Sequence, residues 1–212
     1  MFTVVRARTR GGDEIPIPRT SYVRRGMGPV RELRDRCWIS LLVLVALAIL
    51  SGETRARGTY QDPAEFLRET FENRVPLPTR LPIGDDLRGK VKEILGHDLG
   101  VSRLRYWIRD GRTAWILEEI GKTQPITTGI VVSQRKIERI KVLVFRESRG
   151  WEVRYPFFTD QFRGTSLTDQ NRLDRDIDGI SGATLSVRAL EKLSRVALLL
   201  HEHVERTAIR KQ

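Results

Sequence analysis

The sequence predicts an α+β fold, an antiparallel and strongly bent sheet of about four to six strands packed against helices, with one long helix near the C-terminus. Three observations predict it. Apolar residues recur every three or four positions across residues 184–206. Between residues 102 and 146 the pattern changes to runs rich in Val, Ile, Thr and aromatic residues. Asp110-Gly111 separates the first two of these runs, which is a strong hairpin signal. Helices, then consecutive strands, then a helix describe an α+β domain.

Each element has its own reason. Asp62-Pro63 opens an amphipathic helix, DPAEFLRETFENR, with Phe66, Leu67, Phe71 and Val75 as its apolar set. Pro76, Pro78 and Pro82 make a stiff extended connector, because proline fixes φ and restricts the residue before it. Asp85–Leu95 reads as a second helix with Leu87, Val91, Ile94 and Leu95 on one side and Gly96 as its stop. Residues 102–109 and 113–120 flank the Asp-Gly turn, and residues 126–133 and 137–146 form two further strands across a short polar link. Residues 150–153 read as a fifth strand or an ordered loop, and residues 157–162 as a short helix. In the last helix Val187, Leu190, Leu193, Ala197, Leu200 and Val204 form a stripe that should cover one face of the sheet.

Ahead of these elements lies an uncharged run of 14 residues, CWISLLVLVALAIL, at 37–50. At about 1.5 Å per residue it spans roughly 21 Å, short of the roughly 30 Å hydrocarbon core. It suits a signal-peptide apolar region or a membrane anchor. Residues 1–36 carry nine Arg against four acids, which keeps that side cytoplasmic and sends residues 51–212 outward. Met27 is an alternative start that gives a conventional basic leader, MGPVRELRDR. The organisation expected is therefore a basic segment at 1–36, the apolar segment at 37–50, a helical lead-in at 51–100 and a functional domain at 101–212.

The net charge of +11 invites a nucleic-acid reading, but beyond residue 50 the 29 basic and 23 acidic residues are interleaved, as on a solvated surface. We expect no nucleic-acid partner. The single cysteine, Cys37, excludes an intramolecular disulfide, a cysteine zinc site and c-type haem attachment. His201 and His203 are spaced so that they point to different sides of a helix, which argues against a metal site there. We expect no metal.

The stretch DGISGATLSV, residues 178–187, puts Ser-Gly-Ala-Thr where a helix should be nucleating, although glycine is a poor helix residue. As a plain helix start, Asp178-Gly179 is a turn, Ser181 the N-cap and Thr184 the third helical residue. The same residues, Asp178-Gly179-Ile180-Ser181-Gly182-Ala183-Thr184, resemble the flavinylation pattern Asp-x-x-(Ser/Thr)-Gly-Ala-Thr of the FMN-binding domain. That domain occurs in the C and G subunits of bacterial sodium-pumping quinone reductase and in the Rnf complex. The resemblance runs over residues 121–204. Pro125-Ile126-Thr127-Thr128 stands where the family has a Gly-Pro-Ile-like strand start. Glu147-Ser148-Arg149-Gly150 is similar to its Glu-Thr-Pro-Gly turn, with Ser148-Arg149 in place of Thr-Pro. Phe158, Phe162 and Gly164 fit its aromatic segment.

The resemblance implies FMN joined by a phosphoester to the hydroxyl of Thr184, attached by a separate flavin transferase that uses FAD. Gly182 and Ala183 would leave that hydroxyl accessible. Ser181 would cap the helix and donate to the phosphate, and Asp178 would shape the turn or be read by the transferase. Thr127 and Thr128 join them as cofactor-binding candidates. Trp151, Tyr155 and Phe158 are candidates to stack on the flavin, and Arg149, Arg154 and Arg163 to stabilise its reduced anion; for each, ordinary packing or a solvated charge is the competing explanation. The function expected is an electron carrier on the periplasmic side of the bacterial inner membrane, serving a membrane redox protein such as a cytochrome or quinone-linked complex. A periplasmic flavin-dependent reductase of a small acceptor and a non-redox basic binding module are the alternatives.

Overall fold

Five antiparallel strands in the order β1-β2-β3-β4-β5 form one meandering sheet, each strand pairing with the next in sequence. The computed structural model describes residues 58–209. The expected apolar segment at 37–50 and the basic segment before it lie outside the described residues.

Helix α1 (Pro63–Thr70) starts where Asp62 caps it, its carboxylate accepting from the N–H groups of Ala64 and Glu65. It stops at Thr70 instead of running on to Arg74, because Glu72 and Asn73 take left-handed backbone at φ 50° and 60°. The proline connector is in part a strand. β1 (Thr79–Pro82) pairs with β2 (Arg103–Arg109), Thr79 opposite Tyr106 and Pro82 opposite Arg103. Proline is admitted there because β1 is an edge strand, where its missing N–H breaks no ladder on the open side. Helix α2 (Asp85–Leu95) has the predicted bounds and ends at Gly96 in left-handed backbone.

The Asp110-Gly111 hairpin joins β2 to β3 (Arg112–Ile120), and β4 (Pro125–Ser133) and β5 (Lys136–Phe145) complete the sheet. Residues 126–132 of β4 are buried throughout, as expected of a strand covered on both faces. Val131 faces α1, in a cluster with Phe66, Leu67, Phe71 and Leu143. The Phe66 ring lies so close to Gly129 that an added Cβ would stand 2.6 Å from it. Ile126, Ile130 and Val132 share the larger core on the other face with α2 and the C-terminal helix, α4 (Thr184–Ile209). The stripe predicted for α4 is buried at every position, from Val187 to Val204. Fully burying an aliphatic side chain is worth about 1.5–3 kcal/mol, so this stripe is what holds the helix on the sheet.

Between β5 and α4 the chain is irregular. Residues 150–153 are not a fifth strand but an ordered turn: Trp151–Arg154 is a short 3₁₀ turn, set up by Gly150 at φ 83°. A single turn of helix, α3 (Pro156–Thr159), and a second 3₁₀ turn, Asp160–Phe162, occupy the predicted short-helix region. Residues 58–100 add β1 and α2 to the same sheet and core, so they are integral to the unit and not merely a helical lead-in.

Candidate functional site

The motif is a turn followed by a helix start. Ala183 N–H donates to the Ile180 carbonyl at 3.0 Å, closing a four-residue turn with Ser181 and Gly182 at its centre. Gly182 has φ 80°, the value that the third residue of a type II turn demands and that glycine supplies without strain. The first helical bond is Val187 N–H to the Ala183 carbonyl at 3.0 Å. Ala183 therefore occupies the cap position and Thr184 the first helical position. Ser181 is not the N-cap: the left-handed Gly182 turns the chain between it and the helix.

Thr184 is exposed, and its hydroxyl makes no hydrogen bond among the described residues. Ala183 is buried at its shoulder, 3 % exposed. The N–H groups of the first turn have no intrahelical acceptor, so a free hydroxyl stands beside the positive end of a 26-residue helix.

Three segments close around it and line a cleft of about 350 Å³. Lys122 comes from the β3–β4 turn, residues 147–149 from the loop after β5, and residues 182–186 from the motif. Glu147 ties the first two together. One of its oxygens accepts from the backbone N–H groups of Lys122, Thr123 and Gln124 at 2.5, 2.5 and 2.8 Å, and the other from the Thr123 hydroxyl at 3.2 Å. Loss of water around the carboxylate pushes its pKa up, but these four donors outweigh that and hold it below the ordinary value. Gly150 ties the same loop to the motif. A Cβ there would lie 2.8 Å from Ser186 Oγ and 3.3 Å from Ala183 Cβ.

The Glu147-Ser148-Arg149-Gly150 loop thus faces Thr184 even with Ser148-Arg149 in place of Thr-Pro. Lys122 and Arg149 are both exposed, and neither side chain has an ion pair among the described residues. The cleft offers the Lys122 and Arg149 cations, free helical N–H groups and the exposed Thr184 hydroxyl, with Ser148, Ser186 and the clamped Glu147 carboxylate also on its lining. That donor set suits a phosphate ester at Thr184.

The other predicted residues fall in three places. Gly182 and Ala183 line the cleft, whereas Ser181 and Asp178 are exposed beside it, the Asp178 N–H donating to Gln161 Oε1 at 2.7 Å. Thr127 and Thr128 are buried in β4, outside the cleft lining. Thr127 donates to Glu118 Oε1 at 2.5 Å, and the Thr128 hydroxyl has no partner. Trp151 and Tyr155 are exposed on the segment after Gly150, but Phe158 is fully buried edge-on against Phe162 and is not available to stack on a ligand. Arg154 lies among the rings of Tyr60, Trp151 and Tyr155, and Arg163 is exposed away from the cleft lining. Sequence reasoning missed Lys122 and the clamping role of Glu147. Among the described residues no cluster of His, Cys, Asp and Glu could hold a metal ion, and no helix is long and apolar enough to cross a membrane.

No curated protein matches the chain. Residues 121–199 match the family model of the FMN-binding domain, a span that opens at the turn held by Glu147, includes β4, β5 and the motif, and ends within α4. Over this span the chain is similar to the FMN-binding domain.

Proposed function

We propose that the domain carries FMN covalently, through a phosphoester to Thr184 Oγ1, and works as an electron carrier on the periplasmic side of the bacterial inner membrane. The observation that carries this reading is the unbonded, exposed hydroxyl of Thr184 at the head of α4, in a cleft lined by Lys122 and Arg149. In attachment the hydroxyl oxygen bonds to the FMN-side phosphorus of FAD, its proton passes to a base of the transferase, and AMP leaves. Base and divalent metal belong to that separate enzyme. The remaining phosphodiester charge meets the helical N–H groups and the two cations. Gly182 and Ala183 leave room for the transferase to reach Thr184, and Asp178 and Ser181, exposed on the approach, are the residues it would read.

When bound, the isoalloxazine supplies one- and two-electron chemistry. The chain's own part is to hold the phosphate, to keep the cleft shaped through Glu147 and Gly150, and to leave the flavin end open to a partner. A covalent tether suits a compartment where dissociated FMN is diluted away. The periplasmic location rests on the Arg excess before residue 37. The partner expected is a membrane redox protein such as a cytochrome or a quinone-linked complex.

Two measurements test this reading. A phosphatase reporter fused after Gln212 should be active; a silent phosphatase with an active cytoplasmic reporter at the same point overturns the location. Flavin-loaded protein should be reduced and reoxidised stoichiometrically yet show negligible steady-state turnover with a small acceptor alone. Sustained turnover would make it a reductase, and a colourless protein after co-expression with the transferase would make it a non-redox module.

A further inference from the structure

One end of the domain exposes a row of aromatic side chains that the core does not use. Tyr60, Trp151 and Tyr155 are 40 %, 40 % and 39 % exposed, and Phe157 is 63 % exposed. They form one cluster. Trp151 meets Tyr155 edge-on at 5.6 Å between centroids, and Tyr155 lies 6.3 Å from Phe157. The Arg154 guanidinium sits over the rings of Tyr60, Trp151 and Tyr155 at 4.1, 5.1 and 4.8 Å, and donates to the Tyr155 hydroxyl at 3.0 Å. Gly150 joins this cluster to the motif, and Leu185 on the cleft wall is itself 44 % exposed. Contiguous exposed apolar surface of this kind marks an interaction site.

The charge beside it is weakly positive. Residues 146–157 hold Arg146, Arg149 and Arg154 against Glu147 and Glu152. Arg146 lies 3.8 Å from Glu118, and Glu147 is taken up by three backbone N–H groups, which leaves Arg149 as the exposed cation without an ion pair among the described residues. Trp and Tyr beside Arg is the composition that settles at a membrane–water interface, the rings at headgroup depth and the cations on anionic lipid. Tyr60 also follows the last residue of the apolar run, Leu50, closely in sequence. Even fully extended, that linking chain reaches only about 35 Å.

We propose that this aromatic and cationic face rests in the headgroup region of an anionic lipid bilayer and brings the Thr184 cleft to the membrane surface. The proposal deepens the electron-carrier reading and rests on residues 37–50 acting as a retained anchor. It places the flavin where a membrane-embedded redox partner can reach it. A soluble acidic protein is the competing occupant; rings with polar tips on a short tether favour the bilayer.

The test uses the full chain with its only cysteine replaced, Cys37→Ser, and one new cysteine carrying a bimane fluorophore. Phe157→Cys probes the face. Leu77→Cys is the control, because Leu77 is 89 % exposed and lies just before β1, at the opposite edge of the sheet from β5, to which Tyr60 is bonded. Both variants are reconstituted into phosphatidylethanolamine–phosphatidylglycerol vesicles containing 5-doxyl phosphatidylcholine, and flotation confirms attachment. The label at 157 should be quenched several-fold more strongly than the label at 77, and the difference should shrink when phosphatidylglycerol is left out. A chain that floats but shows equal quenching at both positions overturns the docking face alone. Equal quenching at both positions, with the emission of the label at 157 alone shifting when an acidic protein is added, overturns it in favour of that partner. A chain that does not float with the vesicles overturns the anchor, and the proposal with it, while leaving flavin attachment at Thr184 untouched.

Discussion

Replacing Gly150 by Ala should be the most informative single methyl group in the domain. Two effects add. Gly150 sits at φ 83°, and an L-residue in left-handed backbone costs about 1–2 kcal/mol. The new Cβ would also lie 2.8 Å from Ser186 Oγ and 3.3 Å from Ala183 Cβ, and overpacking of this kind costs about 1–3 kcal/mol. Together they remove about 2–5 kcal/mol from a domain whose whole stability is of order 5–15 kcal/mol. In urea, with a slope of about 1–3 kcal/mol per molar, the midpoint should fall by on the order of 1–2 M. Gly182→Ala is the internal control. Its φ is 80°, but no atom lies within 4 Å of the added methyl, so the backbone effect of about 1–2 kcal/mol stands alone. Tryptophan fluorescence during urea unfolding measures both. Equal losses in the two variants, or a Gly150→Ala variant within about 0.5 kcal/mol of wild type, would refute the claim that the loop is packed against the motif.

Other outcomes follow from the same contacts. Glu147→Gln should cost about 1–3 kcal/mol, because a charged acceptor shared by four donors is weakened. Since the folded state depresses the Glu147 pKa, its contribution is present above the ordinary value of 4.5 and is lost as pH falls through the lower folded value; urea midpoints in acid should converge for wild type and variant. His201 is fully buried, with Nδ1 2.8 Å from Thr113 Oγ1, and loss of hydration lowers its pKa despite the pull of Glu205. Its contribution is complete above the ordinary 6.5 and declines as pH falls below it toward the lower folded value, so a His201→Gln protein should show a flatter stability profile over that window. Gly129→Ala drives a methyl into the Phe66 ring and should release α1 from the sheet, read as faster amide exchange across residues 63–70.

What the sequence made legible was whatever depends on local period. The hairpin at Asp110-Gly111, the buried strand β4 and the stripe of α4 each repeat a signal over several residues, so the strands, helices and core faces could be placed. β1 escaped because four residues with a proline carry no period, and its pairing with Tyr106 and Arg103 lies far along the chain. The motif was recognised through its residue types, yet its geometry was misplaced. Whether Ser181 or Ala183 caps a helix depends on the sign of one φ angle, at Gly182. The Glu147 clamp was invisible for a different reason: its acceptor and donors are 23 to 25 residues apart, with no pattern connecting them. Phe158 shows the limit for aromatics, since composition does not separate a core ring from an exposed one such as Trp151.

The central claim, that Thr184 is where FMN is held, is tested most directly by mass spectrometry of peptides from chain co-expressed with a flavin transferase. The peptide containing Thr184 should carry the added mass of FMN less one water, and fragmentation should place it on the Thr184 side chain. Thr184→Val keeps the shape of an exposed first-turn residue but removes the oxygen, so that protein should fold normally and carry no added mass. Ala variants of Thr165, Thr168 and Ser186 should remain loaded. Covalent FMN on the Thr184→Val protein, or its localisation to any other residue of the wild type, would contradict the account.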